Sequence, residues 1–164
     1  MKTAVFYEHI LEGAKQSGKS VAELMEKCAS WNIRGIEVGD ALLRENKEEI
    51  KELLEKNHMQ VSCSNAFYDF GHNPDAAQGK KQIDLAEEFG VSKVLIIPGE
   101  LSKNEAAALN ALSASKAQTD SYMSENASIR NMVQALKELV AYGKEKNILV
   151  TLEDFDGPVQ PFAR

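Results

Sequence analysis

The sequence predicts an α/β fold in which parallel strands alternate with helices. Short apolar runs of strand length alternate along the chain with segments that have helical apolar periodicity. Successive strands begin roughly 30 residues apart, which is typical of a strand–helix–strand unit. A crossover of that length returns the chain to the same end of the sheet, so the strands are expected to run parallel. With 164 residues, the chain is long enough for one domain with its own core.

Five apolar runs are predicted to be strands. Their length, about four to eight residues, and their nearly continuous apolar character are typical of parallel strands. The runs are Ala4–Tyr7, Ile33–Val38, Met59–Ser64, Val94–Ile97 and the run that begins at Asn147.

Four to five helices are predicted in the remaining sequence. In the first, apolar residues between Val21 and Trp31 recur at helical spacing, and Ser20 with Glu23 forms a capping box at its start. Trp31 ends this apolar stripe and is therefore expected in the core. The later helices contain Ile50–Leu54, Ile83–Phe89 and Ile129–Val140.

Residues 102–124 interrupt the regular alternation. This segment is rich in alanine and serine and has no clear apolar period. It also lengthens the interval before the last strand. We therefore predict one domain, 1–164, that carries a partly helical surface excursion at 102–124.

An acidic or amide side chain lies at or near the end of every predicted strand. The carboxyl ends of parallel strands meet at one edge of the sheet, where α/β proteins keep their chemistry. These side chains are therefore expected to converge there, although acids after strands also serve as helix caps and solvated loop residues. The group comprises Glu8, Glu37, Asn65, Glu100 and Glu153.

Five stretches, taken in chain order, carry a family resemblance. They are Tyr7–Leu11, Gly35–Val38, Val61–Phe70, Lys93–Pro98 and Thr151–Asp156. Together they resemble the sugar phosphate isomerase/epimerase family with the xylose-isomerase-like TIM barrel. The resemblance covers essentially the whole chain and implies parallel (β/α) repeats of the TIM-barrel type.

The resemblance implies an isomerase or epimerase that acts on a small sugar or sugar phosphate. It implies that Glu153 is both the catalytic residue and a ligand of a divalent metal, Mn²⁺ or Mg²⁺, in proton transfer beside a sugar carbonyl. A carboxylate is a hard oxygen ligand that suits these ions, and polarisation of the neighbouring oxygen acidifies the carbon-bound proton. The predicted substrate-binding residues are His9, Glu37, Asn65, Glu100 and Asp156.

The predicted barrel is incomplete. A full barrel needs eight strand–helix units and about 250 residues, whereas five strands are predicted here. The resemblance implies further metal ligands from later strands, and Glu153 alone cannot hold a catalytic metal. We therefore expect a fragment or a natural half-barrel that is inactive alone, with a second copy or a complementing C-terminal half as its partner. A non-catalytic assembly or binding module is the alternative.

A nucleotide-binding motif is a further alternative. Residues 13–20 match the P-loop pattern G-x-x-x-x-G-K-[ST] and precede a helix. Against this interpretation, Glu8 and Glu12 would bring negative charge toward a polyphosphate. A helix that ends at Gly18, followed by a Ser20 cap, explains the same residues.

Composition disfavours several classes of partner. Nineteen basic and 25 acidic residues give a net charge of −6, which argues against nucleic acid or an anionic membrane as the main partner. No run is long and apolar enough to span a bilayer, and no signal-peptide pattern is present, so a cytoplasmic location is expected. Cys28 and Cys63 are expected to be reduced, and Cys63 to be a core residue.

Overall fold

The structure is a computed structural model that describes residues 3–153 and Pro161. Its centre is a five-stranded sheet with the order β1-β2-β3-β4-β5, in which every neighbouring pair is parallel. The predicted class, α/β with parallel repeats, is therefore confirmed. The strands are β1 Ala4–Phe6, β2 Gly35–Gly39, β3 Gln60–Phe67, β4 Lys93–Ile97 and β5 Leu149–Leu152.

Eight helices connect the strands in the described part of the chain, so the expected four to five is too low. Local caps explain part of the difference, because left-handed Gly18 ends the first helix and the Ser20 capping box starts the second. The helices are α1 Tyr7–Ser17, α2 Val21–Ser30, α3 Asp40–Glu45, α4 Lys47–Asn57, α5 Ala77–Glu88, α6 Lys103–Ala111, α7 Lys116–Glu125 and α8 Ala127–Glu145. None of these described helices has the length and apolarity needed to cross a membrane.

One face of the sheet carries the core. Side chains alternate between faces along each strand, and one set is wholly buried among helix residues such as Met25, Leu43 and Leu139. This set contains Ile36, Val38, Val94 and Ile96. Right-handed crossovers in a sheet of sequential order place all helices on the same side, which accounts for this arrangement.

The opposite face, here called the open face, is partly exposed. Phe6, Phe67 and Leu149 are 45%, 72% and 63% exposed on it. Strand register and alternation place the following side chains together on this face: Phe6, Glu37, Cys63, Asn65, Phe67, Lys93, Leu149 and Thr151. In a closed barrel such residues face the barrel interior.

The segment 102–124 contains α6 and most of α7. Glu105 joins these helices to α8, because its carboxylate accepts hydrogen bonds from Ser102 in a capping box and from Asn126 Nδ2 at 3.0 Å. Side-chain hydrogen bonds from Ser102 and, with a smaller effect, from Asn126 lower the pKa of Glu105 to about 2. α6 buries Ala106 and Leu109 against the core.

Trp31 does not lie in the core, and that prediction is wrong. It follows α2 as the C-cap residue and is 65% exposed, with the Lys27 Nζ atom 5.1 Å from its ring. The helix ends at Ser30, so the apolar periodicity no longer determines where the next side chain points.

Gly143 allows α8 to pack closely against the start of β5. Its carbonyl accepts the backbone N–H of Ile148 at 2.8 Å. A Cβ atom on Gly143 would lie 2.7 Å from the Ile148 carbonyl oxygen and 3.0 Å from Val150 Cγ2. This close approach positions β5, and with it the strand end that carries Glu153.

We predict that Gly143→Ala destabilises the protein. The clash involves backbone, so its cost of about 1–3 kcal/mol exceeds the gain of up to roughly 1 kcal/mol from replacing glycine in a helix. Urea unfolding monitored by circular dichroism measures the difference. Gly13→Ala in α1 is the matched control, because its new Cβ would meet only the Leu24 side-chain end, at 3.3 Å. Equal stability of the two variants would contradict the prediction.

Candidate functional site

The candidate site lies on the open face at the carboxyl edge of the sheet. Phe6, Glu37 and Cys63 are register partners on β1, β2 and β3, so their side chains point to the same face. Asn65, two residues after Cys63, projects to that face as well. Parallel pairing therefore brings residues that are far apart in sequence to one edge.

Glu37 interacts with several other residues at this edge of the sheet. It is half-buried, and its Oε1 accepts a hydrogen bond of 3.4 Å from Asn65 Nδ2. Burial raises the pKa of Glu37, and the negative charges of Glu153 and Glu8 act in the same direction. The Asn65 hydrogen bond and the positive charge of Lys93 oppose this rise in pKa. The structure thus brings Glu37, Asn65 and Glu153 within interaction range.

Glu8 adds a carboxylate to this edge. Its Oε1 accepts the backbone N–H of Gly39 at 2.8 Å, which ties the start of α1 to the end of β2. Its Oε2 is buried, with no hydrogen-bond partner among the described residues. A Cβ on Gly39 would lie 3.0 Å from Glu8 Oε1, so this contact favours glycine at position 39.

Glu153, His9 and Glu100 are more exposed than Glu37. Glu153 is exposed directly after β5. His9 is exposed on α1, with its ring edge-on to Phe6 at 5.4 Å between centroids. Glu100 is exposed in the loop after β4. Asp156 lies outside the described residues.

Lys93 is a residue of this group that sequence reasoning missed. It begins β4 on the open face, and its positive charge lowers the pKa of both Glu37 and Cys63. The available signal was a lysine directly before the apolar run Val94–Ile97. Cys63 itself is buried, and burial raises the pKa of its thiol to about 11. A neutral thiol of this kind fits a core residue.

A pocket of about 660 Å³ opens on the amino-end half of the open face. Arg34, Glu37, Ser62 and Lys93 are among the residues that line it. It shares Glu37 and Lys93 with the candidate site, but its other lining residues lie toward the amino ends of the strands. In a closed barrel this region is filled by packed side chains, so the carboxyl edge is the candidate site.

The described residues do not form a complete metal centre. No group of three or more histidine, cysteine, aspartate or glutamate side chains within 3–153 has a geometry that could hold a metal ion. A divalent metal takes about six oxygen ligands in proteins. Glu153 and Glu37 therefore fit, at most, part of the coordination shell implied by the family resemblance.

The P-loop interpretation does not agree with the structure. Residues 13–17 belong to α1, where their backbone groups are part of a helix, and Gly18 is its left-handed cap. The Ser20 hydroxyl is held by Glu23 in a capping box. These residues start no loop whose amides converge on a phosphate.

Comparisons with known proteins agree with this architecture. A family model described as "Xylose isomerase-like TIM barrel" matches residues 25–162. A sugar phosphate isomerase/epimerase from Parabacteroides distasonis superposes with a TM-score of 0.57 at 11% identity, over 92% of this chain and 50% of that one. A xylose isomerase domain protein from Planctomyces limnophilus gives a TM-score of 0.52 at 13% identity, over 92% and 52%. No curated protein matches the chain.

The two solved structures establish only the fold. Their sequence identities to this chain are too low to support a statement about its function. The chain spans about half the length of each of them. Its five parallel strands correspondingly match part of an eight-stranded barrel. On the family match over residues 25–162, this chain belongs to the xylose isomerase-like TIM barrel family.

Proposed function

We propose that this chain is part of a sugar or sugar phosphate isomerase/epimerase that moves a proton beside a sugar carbonyl. The observation that carries the proposal is the Glu37–Asn65 hydrogen bond at the carboxyl edge of a xylose isomerase-like sheet, where the negative charge of Glu153 also acts on Glu37. In barrels of this kind, the catalytic residues come from the ends of several strands.

Carboxylates in two environments suit this chemistry. Burial raises the pKa of half-buried Glu37, so Glu37 holds a proton more readily than a carboxyl group in water. A pair of carboxylates with separated pKa values divides the roles of proton donor and proton acceptor. Glu153 is the proposed base and metal ligand, and Glu37, Asn65, His9, Glu100 and Asp156 are proposed to bind substrate hydroxyls.

The expected divalent metal, Mn²⁺ or Mg²⁺, would polarise the sugar oxygen when bound. The described residues offer too few ligands for it. We therefore propose that strands supplied from outside this chain complete the site, through a second copy or a complementing C-terminal half.

We predict that Glu153→Gln lowers isomerase activity by about 100-fold or more, the range expected for loss of an acid–base group. A coupled assay with Mn²⁺ and a panel of keto- and aldo-sugars measures the rate, with a complementing half-barrel added where the chain alone is silent. Glu145→Gln, an exposed glutamate at the end of α8, is the control and keeps full activity. If Glu153→Gln keeps full activity, Glu153 is not a catalytic residue.

A second prediction tests the geometry without turnover. Glu153→Gln removes a negative charge that raises the pKa of Glu37, so that pKa falls. Lys93→Met removes a positive charge that lowers the pKa of Glu37, so that pKa rises. The rise is expected to be larger than the fall caused by Glu153→Gln. Carbon-13 NMR titration of the glutamate carboxyl groups reads both shifts. The control Glu145→Gln leaves the pKa of Glu37 unchanged. If the pKa of Glu37 is also unchanged in Lys93→Met and Glu153→Gln, the three residues do not form one site.

The open face favours one other candidate function, a non-catalytic assembly module. Phe6 and Leu149 are exposed on β1 and β5, and within the described residues each of these strands has a single neighbour. Unpaired strand edges and exposed apolar side chains are typical of association surfaces.

We predict that the isolated chain self-associates through this surface. Size-exclusion chromatography with light scattering should give a dimer or larger species for the wild type and a shift toward monomer for Leu149→Lys. Val140→Lys is the control, because Val140 is similarly exposed, at 52%, but lies on α8. A stable wild-type monomer would rule out this association.

A further inference from the structure

We infer that a bulge in β3 turns Asn65 toward the candidate site, and that Ser62 and Gln82 are the positioning residues that hold it there. Asn65 binds a substrate hydroxyl beside Glu37 in the proposed function, on which this inference rests. The positioning itself is a property of the folded chain, so it can be measured without turnover.

The register between β2 and β3 changes by one residue at Ser62. Ile36 is paired with Val61. The next residue of β2, Glu37, is paired with Cys63 and not with Ser62. Ser62 is therefore an extra residue in β3, as in a β-bulge. Bulges are rare between parallel strands and are frequent beside active sites, where they change the direction of a side chain.

The extra residue decides which face of the sheet Asn65 occupies. Side chains alternate along a strand, so a shift of one residue moves every later side chain to the opposite face. Without the bulge, Ser62 would pair with Glu37, and Asn65 would point to the core. With the bulge, Asn65 pairs with Gly39. A Cβ atom on Gly39 would lie 3.8 Å from Asn65 Oδ1, so the Asn65 side chain lies above this glycine.

Burial along β3 agrees with the shift. Val61 is paired with wholly buried Ile36 and belongs to the core. Ser64 is paired with wholly buried Val38 and is itself wholly buried. Strict alternation would place Val61 and Ser64 on opposite faces, because an odd number of residues separates their positions. The bulge therefore allows both to face the core.

The Ser62 side chain holds the bulge. Its hydroxyl donates to the Ile36 carbonyl at 2.8 Å. That carbonyl lies where the register changes, so the bond joins β2 to β3 at the point where the bulge disrupts the ladder. Gly35 leaves room for this arrangement, since a Cβ atom on it would lie 3.2 Å from Ser62 Cβ. Loss of the Ser62 hydroxyl is therefore expected to loosen the bulge.

Gln82 holds the strand from the core side. It lies on α5 and is wholly buried. Its Nε2 atom donates to the Ser64 carbonyl at 3.0 Å and to the Leu95 carbonyl of β4 at 3.4 Å. The Ser64 carbonyl belongs to the peptide group that leads into Asn65, so this bond fixes the backbone directly before Asn65. The Tyr68 hydroxyl donates to Gln82 Oε1 at 2.9 Å, which fixes the orientation of the amide.

The contact between Asn65 and Glu37 depends on this support. Asn65 Nδ2 donates to Glu37 Oε1 at 3.4 Å. This distance is near the upper limit for a hydrogen bond, so a small displacement of β3 is enough to break it. Ser62 and Gln82 act on the site through Asn65, which makes them positioning residues and not catalytic ones.

Nitrogen-15 NMR of the Asn65 side-chain amide tests the inference. The signal is assigned by its absence from Asn65→Ala. Ser62→Val is expected to move the signal and to speed exchange of the amide protons with water by about tenfold, as expected for loss of one hydrogen bond. Ser62→Thr has nearly the same shape as Ser62→Val but keeps the hydroxyl, so it is expected to retain the wild-type signal and exchange rate.

Gln82→Met tests the support from the core side. It replaces the amide with an apolar side chain of similar length and is expected to speed exchange at Asn65 as Ser62→Val does. Asn57→Leu is the control, because Asn57 is also a buried amide and donates to the Leu53 carbonyl at 2.8 Å within α4. It is expected to lower the free energy of unfolding and to leave the Asn65 signal unchanged. If Gln82→Met does not fold, the comparison of Ser62→Val with Ser62→Thr decides.

Three results would overturn the inference. They are an Asn65 signal that is unchanged in Ser62→Val, an equal change in Ser62→Thr, and an equal change in Asn57→Leu, which would indicate a general loosening of the fold. The NMR signal needs no turnover, so its outcome is independent of the proposed reaction. Full isomerase activity of Glu153→Gln would contradict that reaction and leave the positioning of Asn65 intact.

Discussion

The parallel pairing of five strands in sequential order is the constraint on which the rest of the structure depends. Each connection returns the chain to the same end of the sheet, so every strand delivers its carboxyl end to one edge. The same order places the helices on a single face, where they bury the core. The opposite face remains available, and its polar side chains can act on one another across neighbouring strands.

The electrostatic balance at Glu37 follows from this packing. Burial and the charges of Glu8 and Glu153 favour its protonated form, while Lys93 and Asn65 favour its ionised form. The pKa of Glu37 therefore depends on residues that the sheet brings together from different strand–helix units. Closure of the open face by further strands would remove water and strengthen each of these interactions.

Local patterns were sufficient for much of the fold. Apolar runs and helical periodicity predicted five strands and their common direction, and Ser20 with Glu23 predicted a helix start that the structure contains. The helix α3 was not predicted because it is short, and α6 and α7 were predicted only as a partly helical segment because they lack a strong apolar stripe. Trp31 was misjudged because a stripe predicts burial only while the helix continues.

The sequence by itself determined the repeated strand–helix order, the family and the presence of polar residues at strand ends, because these depend on local periodicity and on short motifs. Only the tertiary structure decided which of those residues meet. The Glu8–Gly39 hydrogen bond, the Asn65–Glu37 hydrogen bond and the effect of the Lys93 charge on Glu37 all join residues from different strand–helix units. Such contacts depend on strand register, which long-range pairing sets and a single sequence does not encode locally.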